Sequence, residues 1–595
     1  MRSKVGRFSC VLVTVALALL LTQPTFVAAA GNPLCPGEDV FFNPGNGEDI
    51  VVPQGFKVSV FKSGLNFPTA VAFRGNSRRF EVFVLESGHG LPSGSLQTRM
   101  CNDETNPLLG GVFSPANPFT PGILVFNESG QQRPGGPLAK PTASGGGLLP
   151  HGPAIDIAFE HGFRGGRLFA TDSNQAIRAT NPNGQNNNSS RIVIVNPENG
   201  QVTEFISGLP TGDHPAEQIT FKDGWIYWSQ GSTTNSGVVG RDNGGGANQH
   251  DIPCQDIKLS NNVFDSGGGI KTSGYSPFGV QNPGGIVAAY TGAAHSGVCD
   301  GAILRAPLNA RNPQDNIQPF SWGYRNPYGI RFAPRDHALK GGLFVTENGE
   351  DERGARPTNN SPDRLHLAQQ NPDGSPDYHG WPDRFGFLDS TQAVFNPVGG
   401  PGDDNAAAVV GKPVQPVLAF PPQPITVPLA LEASDVAIVG LDFVPNSFVH
   451  GPVKRGAALA GREGDFGFSK ANGTPEEGHD VQLINFSKPG EPLKLTLQRF
   501  AFNKTFEQAF VSGIRGINRP VDLKFGPDDC AYLVDYGAVR DFGQSDPDAG
   551  FKVAGDGPLV QIPGTGVIWK ICGPNPPGQG NDGDRDRDKE RDDKD

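Results

Sequence analysis

The segment 323–332, which reads GYRNPYGIRF, places an arginine and an asparagine just before a strand-like stretch. Pro327 biases Asn326 away from helix, and Gly329 permits a turn or a close approach. The planar guanidinium of Arg325 suits a carboxylate, and the Asn326 amide can both donate and accept hydrogen bonds. The pair therefore predicts a ligand contact. The alternative is a surface arginine paired with a nearby acid.

His214 lies in the segment 208–232, immediately before another strand-like stretch. A neutral imidazole at such a loop-to-strand junction can act as a general base. The alternative is a histidine that only caps or hydrogen-bonds the surface.

A third segment, 344–367, carries a tight turn at Asn348 and Gly349 after a strand, and DYHGWP follows at 377–382. Backbone carbonyls in this turn, with neighbouring acids such as Glu350 and Asp351, can hold a hard cation such as calcium. The alternative is a solvated acidic loop.

One hairpin pattern recurs six times and supplies the strands that would position these residues. A short apolar strand ends in Phe, a turn follows, and a second apolar strand ends in a polar or Gly-rich loop. The copies begin at Pro68, Ala154, Ala216, Pro327, Ile438 and Pro520. Because one hairpin cannot bury both faces, repeated hairpins stack around an axis. A pair of β-sandwiches would also show alternating strands, but six copies of one template favour an all-β, six-bladed β-propeller.

Long Gly/Pro-rich insertions separate some of the copies. The 595-residue chain contains 81 Gly and 54 Pro, a composition that favours short strands and turns over long helices. Residues 86–150, 237–320 and 385–435 show little strand pattern, so we expect them to be surface loops that cover one face of the propeller.

The two ends differ from the propeller body at 51–572. Residues 1–30 combine a basic start, a short apolar run and a small-residue cleavage site, as in a signal peptide, the alternative being a membrane anchor. Residues 31–50 form a polar N-terminal extension. Residues 573–595 form a charged tail without apolar residues, which we expect to be disordered, with calcium binding as the alternative.

The charge and the cysteines agree with export. The net charge of −12 becomes −15 when the three basic residues of the leader are removed, which disfavours nucleic acid as a partner. We expect no membrane insertion and a secreted or periplasmic protein. Six of the seven cysteines remain after the leader, an even number that suggests disulfides. Among the possible pairings, proximity favours Cys35 with Cys101, Cys254 with Cys299, and Cys530 with Cys572.

Taken together, these segments resemble the glucose/sorbosone dehydrogenase family of quinoproteins. GLP-x-x-DH before a strand, Y-R-N-P-x-G, T-E-N-G, a later Asp-Arg-Leu and H-G-W-P occur in the family's order, and the likeness spans most of the chain from about residue 51 to 572. The resemblance implies a six-bladed propeller that binds pyrroloquinoline quinone and calcium on its axis. It also implies oxidation of the C1 hydroxyl of a small-molecule sugar, with an unknown electron acceptor.

The resemblance assigns roles to single residues of this chain. His214 would take the hydroxyl proton, Arg325 would stabilise charge as the quinone is reduced, and Asp363 would orient the histidine. The cofactor would contact Arg325, Asn326, Asn348, Arg462 and Arg519, and the carbonyls of Gly349 and Glu350 would bind calcium.

This chain departs from the family pattern at three places. Val521 stands where a second basic residue is expected, Glu463 follows Arg462, and Glu217 replaces a small residue near His214. Two alternatives therefore stay open: a non-catalytic carbohydrate- or protein-binding propeller that has lost the cofactor, and a calcium-dependent propeller lactonase.

Overall fold

Six antiparallel sheets, numbered here as blades I–VI, make up the fold in a computed structural model. From the axis outwards, the strands of the blades are as follows: blade I, Pro68–Asn76, Arg79–Glu86 and Gly122–Asn127; blade II, Ile157–Phe159, Leu168–Asp172, Ser190–Val195 and Val202–Leu209; blade III, Ala216–Lys222, Trp225–Gln230, Ala302–Pro307 and Gln318–Trp322, with Asp377–Tyr378 added in parallel; blade IV, Ile330–Phe332, Leu343–Glu347, Pro362–Ala368 and Ala430–Ser434; blade V, Ile438–Phe443, Ala458–Arg462, Asp480–Phe486 and Leu495–Asn503, with Ile50–Val51 at its edge; blade VI, Pro520–Phe525, Ala531–Asp535, Gly566–Cys572 and Lys57–Leu65.

The structure describes most of the chain between residues 42 and 574. The described ranges are 42–88, 120–142, 146–150, 152–174, 189–240, 250–267, 269–351, 354–358, 361–386, 388–389, 413–422, 427–464, 477–541, 559–561 and 563–574. The expected signal peptide at 1–30 lies outside them, and so does the charged tail beyond residue 574.

The inner strands of the six sheets form a closed ring. Each contacts the inner strand of the next blade, and that of blade VI contacts that of blade I. Each inner hairpin corresponds to one of the six sequence repeats, so the six-bladed propeller is confirmed. The pair of β-sandwiches is excluded.

The recurring Phe of the sequence pattern packs each blade against the blade before it. Near the end of each inner strand a Phe lies 4.8–5.3 Å, centroid to centroid, from an aromatic ring of the preceding blade. The pairs are Phe73 with Tyr532, Phe159 with Phe83, Phe221 with Phe169, Phe332 with Tyr227, Phe443 with Phe344 and Phe525 with Phe448. Tilted and edge-to-face arrangements of this kind stabilise beyond simple burial.

The insertions contain more of the sheets than the sequence analysis expected. Residues 86–150 include the strand Gly122–Asn127, residues 237–320 include Ala302–Pro307 and the start of Gln318–Trp322, and residues 385–435 include Ala430–Ser434. The prediction that these segments are only loops is therefore wrong. These strands lie outside the inner hairpins, and the 237–320 segment also carries short paired strands such as Ile257–Lys258 with Ile286–Val287.

The N-terminal extension also joins the fold. Ile50–Val51 pairs with Leu495–Asn503 at the edge of blade V, and Ile50 is buried. Among the described residues, the one α-helix is Ala509–Ser512, and no helix is long and apolar enough to cross a membrane.

Two of the three expected disulfides are present. Cys254 pairs with Cys299 in the insertion of blade III, and Cys530 pairs with Cys572 within blade VI. Cys35 and Cys101 lie outside the described residues. Two disulfides fit a protein of an oxidising compartment.

Candidate functional site

The predicted site residues gather at one end of the ring, where the inner strands begin; this end is termed the upper face. His214 precedes the inner strand of blade III, Arg325 and Asn326 precede that of blade IV, and Arg519 precedes that of blade VI. Because the second strand of each hairpin runs antiparallel to the inner strand, its C-terminal end also reaches the upper face. Asn348, Gly349, Glu350 and Arg462 lie at such ends.

Backbone hydrogen bonds connect His214 to Arg325 through one residue of blade III. The amide of His214 donates to the carbonyl of Ser232 at 3.1 Å, and the amide of Ser232 donates to the carbonyl of Arg325 at 2.8 Å. A Cβ atom on Gly231 would lie 2.1 Å from the Cβ of His214, so only glycine fits there. The two predicted residues therefore share a rigid junction between blades III and IV.

The Arg325 guanidinium is 4 % exposed and already has acidic neighbours. Its Nη2 lies 2.5 Å from Asp351 and 3.9 Å from Asp213, and its backbone amide donates to Glu347 at 2.7 Å. The Nε–H is buried without an acceptor among the described residues. The guanidinium thus keeps one buried donor without an acceptor beside its ion pair with Asp351, and its role toward a ligand stays a prediction.

Asn326 and Asn348 are joined as a pair. Asn326 donates its side-chain amide to the Asn348 Oδ1 at 2.9 Å, and Asn348 donates in turn to the Ile438 carbonyl at 2.7 Å. The Asn326 Oδ1 is buried and has no donor among the described residues. Asn326 therefore presents an acceptor, while Asn348 positions it.

Asp363 supports the turn that would bind calcium. Its Oδ1 accepts from the Gly349 amide at 2.7 Å, and its Oδ2 accepts from the Ile438 amide at 3.0 Å. Burial raises the pKa of Asp363 to about 7, although these two hydrogen bonds oppose the shift. The carboxylate thus fixes the 348–349 turn against blade V, and its expected role in orienting His214 stays a prediction.

The Glu350 carboxylate is directed into blade IV. It accepts from Ser361 and from Arg364, the latter at 2.9 Å, and Arg364 also lies 3.0 Å from Glu347. Burial raises the pKa of Glu350, and Arg364 opposes the rise. The carbonyls of Gly349 and Glu350 therefore remain the candidate calcium ligands. In the described ranges no three His, Cys, Asp or Glu side chains are grouped so as to hold a metal ion.

The structure separates the two remaining predicted cations. Arg462 makes a two-pronged ion pair with Asp480 of blade V at 2.6 and 2.7 Å and lies 3.3 Å from Glu432 of blade IV, so its guanidinium is engaged by carboxylates of both blades. Arg519 donates to the Gly464 carbonyl at 2.7 Å and lies 4.0 Å from Glu463. Arg519 is thus the better placed of the two to meet a ligand on the axis.

Glu217 is the most unusual group of the upper face. It is 2 % exposed, and its Oε2 has no donor among the described residues. Burial raises the pKa of Glu217 to about 8, with Arg325 opposing and Glu463 adding to the rise. At neutral pH this carboxyl is therefore mostly protonated and adds little negative charge beside Arg325.

Other blades also bring buried polar atoms without partners to the upper face. They are the Ser87 Oγ of blade I, the Asn174 Oδ1 of blade II and the Asn518 Nδ2 of blade VI, judged within the described residues. None of these three belongs to the motifs recognised in the sequence. Ser87 and Asn174 follow the second strand of their repeats, as Asn348 does, so their shared position is the signal that was available. Such unpaired groups are costly unless a ligand or water satisfies them.

The axis below this site is filled by a buried ionic cluster. Lys524 lies 2.5 Å from Asp156 and 3.4 Å from Asp522, and Gln218 donates to Asp522 at 2.8 Å. A Cβ on Gly440 would lie 2.2 Å from the Asp522 Oδ1. These buried charged groups therefore form a floor below the upper site.

Comparisons with known proteins find matches only among solved structures, at low identity. No family model and no curated protein matches the chain. Solved structures that match include a family AA12 carbohydrate-active enzyme of Trichoderma reesei, at 15 % identity and TM-score 0.46, covering 88 % of this chain and 98 % of that one. The pyranose dehydrogenase PQQ domain of Coprinopsis cinerea matches at 12 % identity and TM-score 0.43, covering 88 % of this chain and 96 % of that one. A PQQ-bound aldose sugar dehydrogenase of Streptomyces coelicolor matches at 13 % identity and TM-score 0.39, covering 88 % of this chain and 100 % of that one.

Proposed function

We propose that this chain is an exported oxidoreductase that oxidises the C1 hydroxyl of an aldose or a related sugar, with pyrroloquinoline quinone as hydride acceptor. The observation that carries the proposal is the junction of His214, Arg325 and Asn326 at the axial end of two neighbouring blades. The motif order in the sequence assigns these same residues to the chemistry.

The residues present fit the quinone. It carries several carboxylates, and the Arg325 Nε–H and the Arg519 guanidinium are the cationic donors best placed for them. The unpaired polar atoms of Ser87, Asn174 and Asn518 give further capacity for hydrogen bonds. Glu217 does not oppose an anion at neutral pH because its buried carboxyl stays mostly protonated.

When bound, the quinone supplies a two-electron acceptor. His214 takes the proton from the sugar hydroxyl, since a neutral imidazole is a suitable base near neutral pH. Arg325 stabilises negative charge that develops beside it, because a guanidinium in a site of low exposure interacts strongly. The carbonyls of Gly349 and Glu350 would hold calcium, and Asp363 keeps that turn in place.

A second function is favoured by one observation. Arg325, Arg462 and Arg519 all lie near protein carboxylates, so a ligand must compete for them. This arrangement favours a non-catalytic carbohydrate-binding propeller that has lost the cofactor.

The deciding experiment adds calcium and the quinone to the purified protein and measures dye reduction with a panel of aldoses. We expect turnover and a thermal shift with the quinone. Saturable sugar binding without a quinone shift would instead support the non-catalytic propeller.

Two variants separate binding from chemistry. His214→Ala should abolish turnover and leave quinone binding largely intact, whereas Arg325→Ala should weaken the binding of the quinone. His161→Ala and Arg164→Ala are matched controls, because both residues are exposed at the opposite end of blade II. Turnover by His214→Ala equal to that of its control would refute the role of the base.

A further inference from the structure

A second cavity, of ≈ 270 Å³, lies at the opposite end of the axis, where the inner strands finish; it is termed the lower cavity. All six inner strands contribute to its wall. The ionic cluster around Lys524 lies between it and the upper face, so the lower cavity does not belong to the site described above.

The two halves of the lower cavity differ in chemistry. Blades I–III supply a mostly apolar wall, to which Val71, Phe73, Ile157, Phe159, Ile219 and Phe221 belong, with Thr220 and Glu160 as its polar members. Blades IV–VI supply Arg331, Asp442 and Lys524 on the other side, together with Phe525. An apolar wall with a few fixed polar groups is the usual composition of a small-molecule site.

Arg331 has an unused donor in this cavity. Its Nε donates to the Leu441 carbonyl at 3.3 Å and lies 3.4 Å from Asp442, while its Nη2 is buried without an acceptor among the described residues. Asp442 cannot easily turn to supply one, because its two oxygens accept from the amides of Phe443 and Phe525. A buried donor in this state favours a ligand that brings an acceptor.

The surrounding charges disfavour an anion. Lys524 is already held by Asp156 and Asp522, Asp442 lies beside Arg331, and Glu160 at the rim is paired with Arg167 at 2.8 Å. The acids thus at least balance the cations around the cavity. A neutral head group meets no net repulsion there, whereas a carboxylate would meet Asp442.

We propose that the lower cavity binds a small uncharged molecule with a compact apolar body and a carbonyl oxygen that accepts from Arg331. The volume lies near the lower end of the range for ligand pockets, which fits a body of about one six-membered ring. A primary amide suits the site best, since its carbonyl can face Arg331 while its NH₂ faces Asp442.

Benzamide is the probe, titrated calorimetrically into the full protein, with toluene and benzoate for comparison. We expect saturable binding of one benzamide per chain. Toluene should bind more weakly because it lacks a hydrogen-bond acceptor for Arg331. Benzoate should also bind more weakly, because its carboxylate is repelled by that of Asp442. Absence of saturable benzamide binding, or equal or tighter binding of either comparison compound, overturns the proposal.

Variants locate the binding. Arg331→Met keeps the length of the side chain and should lower the affinity for benzamide by about tenfold or more, since hydrogen bonds from charged groups are stronger than those from neutral groups. Arg335→Met, in the exposed connection of the same hairpin, and His214→Ala on the upper face should leave the affinity unchanged. Equal affinity in Arg331→Met, or loss in His214→Ala, contradicts the assignment.

A second variant guards against misfolding of Arg331→Met. Ala158→Leu enlarges a half-buried side chain on the apolar wall and should block benzamide by filling the space. Binding by this variant equal to that of the unmodified protein would likewise overturn the proposal.

Discussion

Replacing Glu217 by Gln tests the electrostatics of the upper face through the pH dependence of stability. Burial raises the pKa of Glu217 from 4.5 to about 8. Between these two values the folded protein keeps the proton and the unfolded chain releases it. The unfolded state then binds fewer protons, so the free energy of unfolding falls as the pH rises.

The size of this effect follows from the raised pKa. Each pH unit in this window costs about 1.4 kcal/mol, so the loss between about pH 5 and about pH 7 is about 3 kcal/mol. The amide introduced by Glu217→Gln does not titrate and removes this dependence. The free energy of unfolding of the variant, relative to that of the unmodified protein, should therefore rise by about 3 kcal/mol over these two pH units. A difference in stability that the amide causes equally at both pH values does not affect this comparison.

Guanidinium unfolding followed by tryptophan fluorescence, at the two pH values, measures the difference between the proteins. Glu204→Gln is the control, because this carboxylate is half exposed on the outer strand of blade II. A difference between Glu217→Gln and the unmodified protein that stays the same at both pH values would refute the account of a buried, protonated carboxyl.

Three further perturbations probe the frame that holds the site. Replacing Cys530 and Cys572 together by Ser should lower the stability by about 2–4 kcal/mol, seen as a lower melting temperature, because the bridge closes a long loop. Phe83→Ala should lower the free energy of unfolding, measured with a chemical denaturant, by about 3–5 kcal/mol because the ring is fully buried between blades. Phe163→Ala, at a residue that is 42 % exposed, should lower it much less. Lys524→Met should lower the free energy of unfolding by about 3–5 kcal/mol, since it leaves two buried carboxylates without their cation. An unchanged free energy of unfolding in this variant would contradict a stabilising role of the ionic cluster.

The inner half of the fold could be predicted from the sequence because that half repeats. The Phe near the end of each inner strand recurs for a physical reason, since it packs on the preceding blade. The outer strands follow no such template, and Ala302–Pro307 comes directly after a Gly/Pro-rich segment. Their local sequence therefore resembles that of loops, although hydrogen bonding to the inner hairpin draws them into the sheet.

The site was only partly predictable, because spacing reveals which residues reach the axis but not what they meet there. His214 and Arg325 are 111 positions apart in the numbering and share a junction through Ser232, which no local pattern indicates. Arg462 is the basic group nearest to an expected lysine, and its engagement with Asp480 arises from strand pairing across blade V. The raised pKa of Glu217 depends on burial, which the sequence does not display.

The strand Lys57–Leu65 has a consequence for how the molecule is made. It forms the outer edge of blade VI, and Ser59 lies 511 positions from its partner Lys570. During synthesis this strand emerges early and must wait for nearly the whole propeller before it can pair. Its residues are mostly half exposed and include two lysines, a composition that limits edge-to-edge aggregation of a waiting strand. The strand is thus made long before its partner, and its polar character keeps it from aggregating until that partner is available.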